Sequence, residues 1–282
     1  MRVETLGDGE PEVVVVGGIH GDEPCGPAAV EALLEADLEV DRPAKLIVAN
    51  EEAIDRGVRY VDEDLNRAFP GSPDADSHEG RLAHELLTEI RDAEVLSLHS
   101  TQSYAEPFAI AREVDGYVRS TCSYLSVEAL VETAETHSAG RLLGQPQVIE
   151  LECGLQRSVA AAENAERLSR EFLVGRGVVA GEGGPPRRHP LPVFRLERQI
   201  PKPQADTYEV FVRNFERVAE GERYAAADGA DLTADRPFYP VLMSPYGYEN
   251  VLGYEGDLSR RLEADHPTAP TGEDAAPAER SR

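Results

Sequence analysis

The chain has 282 residues, enough for one large domain or two smaller ones, and its 41% hydrophobic content can supply a sizeable core. Its formal net charge is −25, spread along the whole chain, and only two of its 28 basic residues, Lys45 and Lys202, are lysines. That charge repels a nucleic-acid backbone, no run approaches the roughly 20 apolar residues that span a bilayer, and three scattered cysteines without a CxxC argue against a disulfide framework.

A chain this acidic repels itself at low ionic strength, and salt screens the repulsion, so a halophile's cytoplasm is the expected setting. The opening MRVETLGDGE has neither the basic nor the apolar region of a signal peptide, which adds to the cytoplasmic expectation. Neither a membrane nor a nucleic acid is expected as partner. Oligomeric state leaves no visible mark, and a homo-oligomer stays open.

Residues 12–17 (EVVVVG) are a short β-branched run that predicts a buried strand. Residues 24–36 carry apolar side chains at helical spacing behind Pro24, which suits a first helical turn. AKLIVA at 44–49 predicts a second buried strand. Residues 78–91 predict a helix with Leu82, Leu86, Leu87 and Ile90 on one stripe, and 95–98 a third strand that ends at His99. Residues 127–133 look helical, 148–153 extended, and 159–173 (VAAAENAERLSREFL) form an amphipathic helix. Alternating strands and helices imply an α/β fold with a parallel or mixed sheet. The pattern changes at GEGGPPRRHP, 181–190, and short strands are expected at 193–197, 207–212 and 240–243. The expected division is an α/β domain over 1–185, a small β-rich unit over 186–262, and a polar, Pro- and Ala-rich disordered tail over 263–282.

His20, Glu23 and His99 each fall just past the C-terminal end of an expected strand, where loops converge in open α/β sheets. Two histidines and a glutamate are the ligand set of many catalytic zinc sites, which leave a fourth position for water. The spacing of His20 and Glu23 lets one turn offer both side chains to one ion, and Gly17, Gly18 and Gly21 permit its sharp path. In RYVDEDLNRAF (59–69), Arg59, Asn66 and Arg67 can bind carboxylates, and Asp64 can orient Arg67 or a histidine. In VIELECG, Glu150 and Glu152 share one face of a strand, and either can serve as general base beside an acidified water.

GGIHGDEP, RYVDEDLNRAFPG, SLHST and LECG, in this order, resemble the aspartoacylase and succinylglutamate desuccinylase family across about 13–248. The resemblance implies a zinc-carboxypeptidase-like mixed-sheet α/β domain with a small C-terminal β domain. It implies one Zn2+ per chain on His20, Glu23 and His99, with Glu152 as general base and Arg59 stabilising the oxyanion. Asn66 and Arg67 would hold the substrate carboxylate with Asp64 in support. Tyr248, chosen over Tyr246, would be a substrate-site tyrosine. There are departures. The family's Asp before the third ligand is Ser97 here, and Arg141 falls one place from the arginine that takes a side-chain carboxylate in aspartoacylases. A lysine expected after the C-terminal tyrosine is absent.

The expected activity is zinc-dependent hydrolysis of the amide of an N-acyl amino acid or similar small carboxylate-bearing molecule. The alternatives are a zinc carboxypeptidase-type peptidase, an esterase or deacylase of a larger small molecule, and a non-catalytic zinc-binding protein. Presence of Glu152 weighs against the last. A β unit that caps the site would exclude peptides and so weigh against the first.

Overall fold

The computed structural model describes residues 1–134, 138–180, 189–247 and 250–263. The chain opens with β1 (Arg2–Leu6) and β2 (Val13–Gly17). Val13 to Val16 are all fully buried, which a strand achieves only when both faces are covered. Val13 and Val15 face one core, and Val14 and Val16 the other. The next elements are α1 (Cys25–Glu35), β3 (Ala44–Val48), α2 (Glu51–Arg56), α3 (His78–Glu89) and β4 (Glu94–Thr101). Then follow β5 (Phe108–Ala111), α4 (Gly116–Tyr124), β6 (Leu130–Glu132), β7 (Val148–Leu155) and α5 (Val159–Gly175). The remaining strands are β8 (Leu191–Pro201), β9 (Tyr208–Val210), β10 (Arg223–Ala227), β11 (Ala230–Thr233), β12 (Tyr239–Val241) and β13 (Val251–Leu262).

Ten strands form one mixed sheet in the order β1-β3-β2-β4-β7-β5-β6-β8-β13-β12. Its centre, β3-β2-β4-β7, is parallel, and β5 runs antiparallel to β7. Helices α1, α4 and α5 cover one face through Leu33, Val118, Leu168 and Phe172. Helix α3 covers the other through Leu82, Ala83 and Leu86. This is the mixed α/β class the sequence implies, and no helix among the described residues is long and apolar enough to cross a membrane.

One expectation meets a different structure. Residues 127–133 are not helical: Leu130–Glu132 is a strand between β5 and β8. Leu130 packs into one core and Val131 into another, so both faces are apolar and periodicity gives no sign of the strand. The C-terminal strands divide between two sheets. β8 pairs in parallel with β6, and β13 and β12 extend the same sheet, while only β9, β10 and β11 make a separate three-stranded one. Residues 181–188 at the expected boundary, and the tail from 264 onward, lie outside the described residues.

The turn after β2 depends on two glycines. Gly18 has φ of +71°, in the left-handed region. Gly21 lies against α2, where a Cβ would sit 2.2 Å from the carbonyl carbon of Ala53 and 2.4 Å from the nitrogen of Ile54. Gly21→Ala should therefore destabilise the protein by at least about 2 kcal/mol in denaturant unfolding. Gly116→Ala, at the open first turn of α4 where nothing lies within 4 Å of a new Cβ, should be neutral or slightly stabilising. Equal effects of the two substitutions would contradict this account of the turn.

Candidate functional site

Parallel pairing brings the C-terminal ends of β2, β4 and β7 side by side, and the candidate residues emerge there. His20, Glu23 and His99 are all buried, and one ligand atom from each lies within 4.8 Å of the others. The Glu23 carboxylate sits between the rings. Its Oε1 is 2.8 Å from His20 Nδ1 and its Oε2 is 3.1 Å from His99 Nδ1. It also accepts from Arg59 Nη1 at 3.0 Å and from the Ser100 amide at 3.1 Å. The other ring nitrogens point outward: His20 Nε2 is 3.1 Å from Asp64 Oδ1, and His99 Nε2 is 3.1 Å from Ser97 Oγ and 3.9 Å from Glu150 Oε1.

Electrostatics follow from this packing. Burial resists ionisation of Glu23, but the charges and hydrogen bonds of His20 and His99 outweigh it and hold the carboxyl well below its usual range. Burial pulls His99 down, and Glu23, Glu150 and Glu152 overcome it and lift the imidazole to about 9. Asp64 is lowered, because His20, Arg59 and Arg67 outweigh its burial. Glu152 is pushed up to about 8 by burial and by the charge of Glu23, against the pull of His99.

The donor set fits a divalent cation. Two imidazoles turn the same nitrogen toward one ionised carboxylate, and each opposite nitrogen lies 3.1 Å from a side-chain oxygen, an arrangement that suits metal-bound histidines. Glu152 lies on β7 directly opposite His99 on β4, and its Oε2 is a buried atom with no hydrogen-bond partner.

The other candidates surround this group. Arg59 donates to Glu23 and to Asp64 Oδ2, its Nη2 lies 2.9 Å from His20 Nε2, and its side chain is 29% exposed. Asp64 caps the 3-10 turn Leu65–Arg67 by accepting from the Asn66 amide at 2.9 Å. Asn66 is buried; its Nδ2 donates to Glu150 Oε1 at 3.0 Å, and its Oδ1 accepts from the Leu142 amide at 2.9 Å. The exposed Arg67 side chain donates to the Asn66 carbonyl. Arg141 is half-buried on the loop that meets this turn, where the Phe69 amide donates to the Gly140 carbonyl. Among the described residues the Arg141 guanidinium makes no ion pair. Tyr248 lies outside the described residues, and Tyr246 is 77% exposed. Segments of the C-terminal half dock just beyond His99: Asn214 Nδ2 donates to the Ser103 carbonyl at 2.7 Å, and Ser244 Oγ to the Gln102 carbonyl at 3.0 Å.

Sequence reasoning missed Glu79. It is fully buried on α3 and accepts from the amides of Val61, Asp62 and Glu63 and from Asn50 Nδ2, so it anchors the loop that carries Arg59 and Asp64. No spacing could have found it, because one acid at a helix start looks like any other. Burial raises its pKa, and these hydrogen bonds lower it by more.

The succinylglutamate desuccinylase/aspartoacylase catalytic domain family matches residues 9–170. An N-acyl-aromatic-L-amino acid amidohydrolase (carboxylate-forming) of Xenopus tropicalis is 29% identical over 140 residues, 45% of each protein. The chain thus spans less than half the length of that relative. A succinylglutamate desuccinylase/aspartoacylase from Rhodobacter sphaeroides has a similar fold, with TM-score 0.75 and 19% identity over 92% of this chain and 89% of that one. The ectoine utilization protein EutE (DoeB) of Ruegeria pomeroyi, solved with product bound, gives TM-score 0.74 and 20% identity over 90% and 88%.

Glu79→Gln puts an amide N–H against backbone donors and should cost about 2–3 kcal/mol at neutral pH. Because the folded-state pKa is depressed, this stability is complete above the unfolded value near about 4.3 and is lost as pH falls through the folded value. Denaturant unfolding of wild type and variant at pH 7 and at pH 3 should show the gap shrinking in acid. A gap that stays constant would mean Glu79 is not the charged anchor.

Proposed function

The chain belongs to the succinylglutamate desuccinylase/aspartoacylase family, and we propose that it is a zinc-dependent hydrolase that cleaves the amide of an N-acyl amino acid or a similar small carboxylate-bearing molecule. The observation that carries this is the convergence of two histidine Nδ1 atoms on the Glu23 carboxylate, with an unpaired Glu152 oxygen on the adjacent strand. One Zn2+ per chain, held by His20, Glu23 and His99, would polarise the amide carbonyl and acidify water.

The chain's own residues do the rest. Glu152 takes a proton from the attacking water and returns it to the leaving nitrogen, which makes the amine a competent leaving group. Arg59, at the open edge of the group, directs its N–H bonds to the carbonyl oxygen as negative charge develops there. Arg67 and Arg141 hold substrate carboxylates, and Asn66 and Asp64 support them from behind. An arginine without an ion pair among the described residues, in a chain of net charge −25, suits an anionic ligand. Tyr248 is the proposed tyrosine of the substrate site. The docking of 214 and 244 on the segment after His99 supports a covered pocket for small molecules over a peptide cleft. The charge supports a high-salt cytoplasm as the working medium.

Protein purified in multimolar salt should carry about one zinc per chain and release free amine from members of a panel of N-acyl amino acids. A zinc-loaded protein inert to the whole panel would count against the substrate class. Glu152→Gln should keep its zinc while kcat falls by about 100-fold or more; near-normal turnover would remove Glu152 from its role. The unfolding midpoint should rise as sodium chloride is raised from dilute to molar, since counterions screen the self-repulsion. A flat dependence would overturn the halophilic assignment.

A further inference from the structure

The two histidines of the site flank Glu23 and differ behind, since His20 Nε2 also lies 2.9 Å from Arg59 Nη2. Each turns Nδ1 to Glu23 and Nε2 outward. Behind His20 the outward nitrogen meets a carboxylate, Asp64 Oδ1, at 3.1 Å. Behind His99 it meets a hydroxyl, Ser97 Oγ, at 3.1 Å, and the nearest carboxylate oxygen is Glu150 Oε1 at 3.9 Å. Register makes this arrangement. Ser97 and Glu150 are direct partners across the parallel β4–β7 pair, one step below the His99–Glu152 pair, so all four side chains share one face.

Glu150 is buried, and a buried carboxylate is costly without compensation. The structure gives it one hydrogen bond, from Asn66 Nδ2, and the neighbouring imidazole. No arginine or lysine pairs with it among the described residues. Its position is explained if the charge it faces is the histidine of a metal centre.

We propose that Glu150, acting with Ser97, is the positioning carboxylate for His99. It fixes the ring with its proton on Nε2, raises the ligand strength of Nδ1, and through Asn66 joins the metal ligands to the substrate-carboxylate end of the pocket. Ser97 takes the hydrogen bond and Glu150 supplies the charge. Asp64 does both for His20 with one side chain. This rests on the metal reading above and assigns no catalytic step to Glu150.

The test is zinc affinity, measured by competition with a chromogenic chelator, together with the melting temperature of each apo-protein. Glu150→Gln keeps the volume and the acceptor for Asn66 but removes the charge, and should bind zinc about 10- to 100-fold more weakly. Adding Ser97→Asp to that variant returns a carboxylate to the atom 3.1 Å from Nε2 and should recover most of the loss. A merely structural role for Glu150 predicts a lower melting temperature and no recovery. Wild-type affinity in Glu150→Gln, or a loss that Ser97→Asp leaves in place, overturns the proposal while leaving the metal reading standing. A wild-type protein that binds no zinc overturns both. Should the variants fail to fold, nitrogen-detected NMR of the zinc-loaded wild type decides: a proton on His99 Nε2 supports the proposal, and metal on Nε2 overturns it.

Discussion

A carboxylate buried between two imidazoles is the interaction from which the rest of the site extends. Glu23 arrives on the turn after β2, and His99 arrives at the end of β4. The two are 76 residues apart, and the parallel pairing of β2 with β4 brings them to contact. A buried charge persists only with partners that replace water, and Glu23 has four: two imidazoles, one guanidinium and one backbone amide. Each partner then needs its own support, and the site is built outward in that order. Asp64 stands behind His20 and Arg59, and Ser97 and Glu150 stand behind His99.

This requirement explains features that are not chemical in themselves. The turn must pass close to α2, so Gly21 has no room for a Cβ. The loop that brings Arg59 and Asp64 has few apolar contacts to hold it, so its amides are gathered by one buried acid, Glu79. Cys25, at the start of α1, donates its thiol to the His99 carbonyl at 3.4 Å, and all three cysteines are buried. These are packing and hydrogen-bonding residues that hold the candidate site in place.

The same economy of buried acids appears far from the site. Glu132 accepts from Arg195 and Arg260, and Glu255 from Arg198 and Arg236. Guanidinium forks match carboxylates with two bonds at once, which fits a chain whose cations are nearly all arginine. Glu132, on β6, thus helps tie β8 and β13 to the α/β core, whereas Glu255, on β13, pairs within the C-terminal strands.

The sequence by itself determined the local elements with strong periodicity, such as β2, α3 and α5, because burial on both faces or on one helical stripe writes itself into short windows. It also singled out His20, Glu23 and His99 as a group able to hold a metal, and the fold brings one ligand atom of each within 4.8 Å of the others. Only the tertiary structure decided that 127–133 is extended, because a strand covered on both faces carries no alternation. It alone decided that the C-terminal strands continue the main sheet, which depends on the pairing of β6 with β8 across more than 60 residues. The family resemblance already pointed to Glu152 over Glu150, and the tertiary structure adds a physical difference between them. On one strand the two are equivalent, and what distinguishes them is the neighbour each meets on β4: Ser97 and the outward side of His99 for the first, the level of His99 itself for the second.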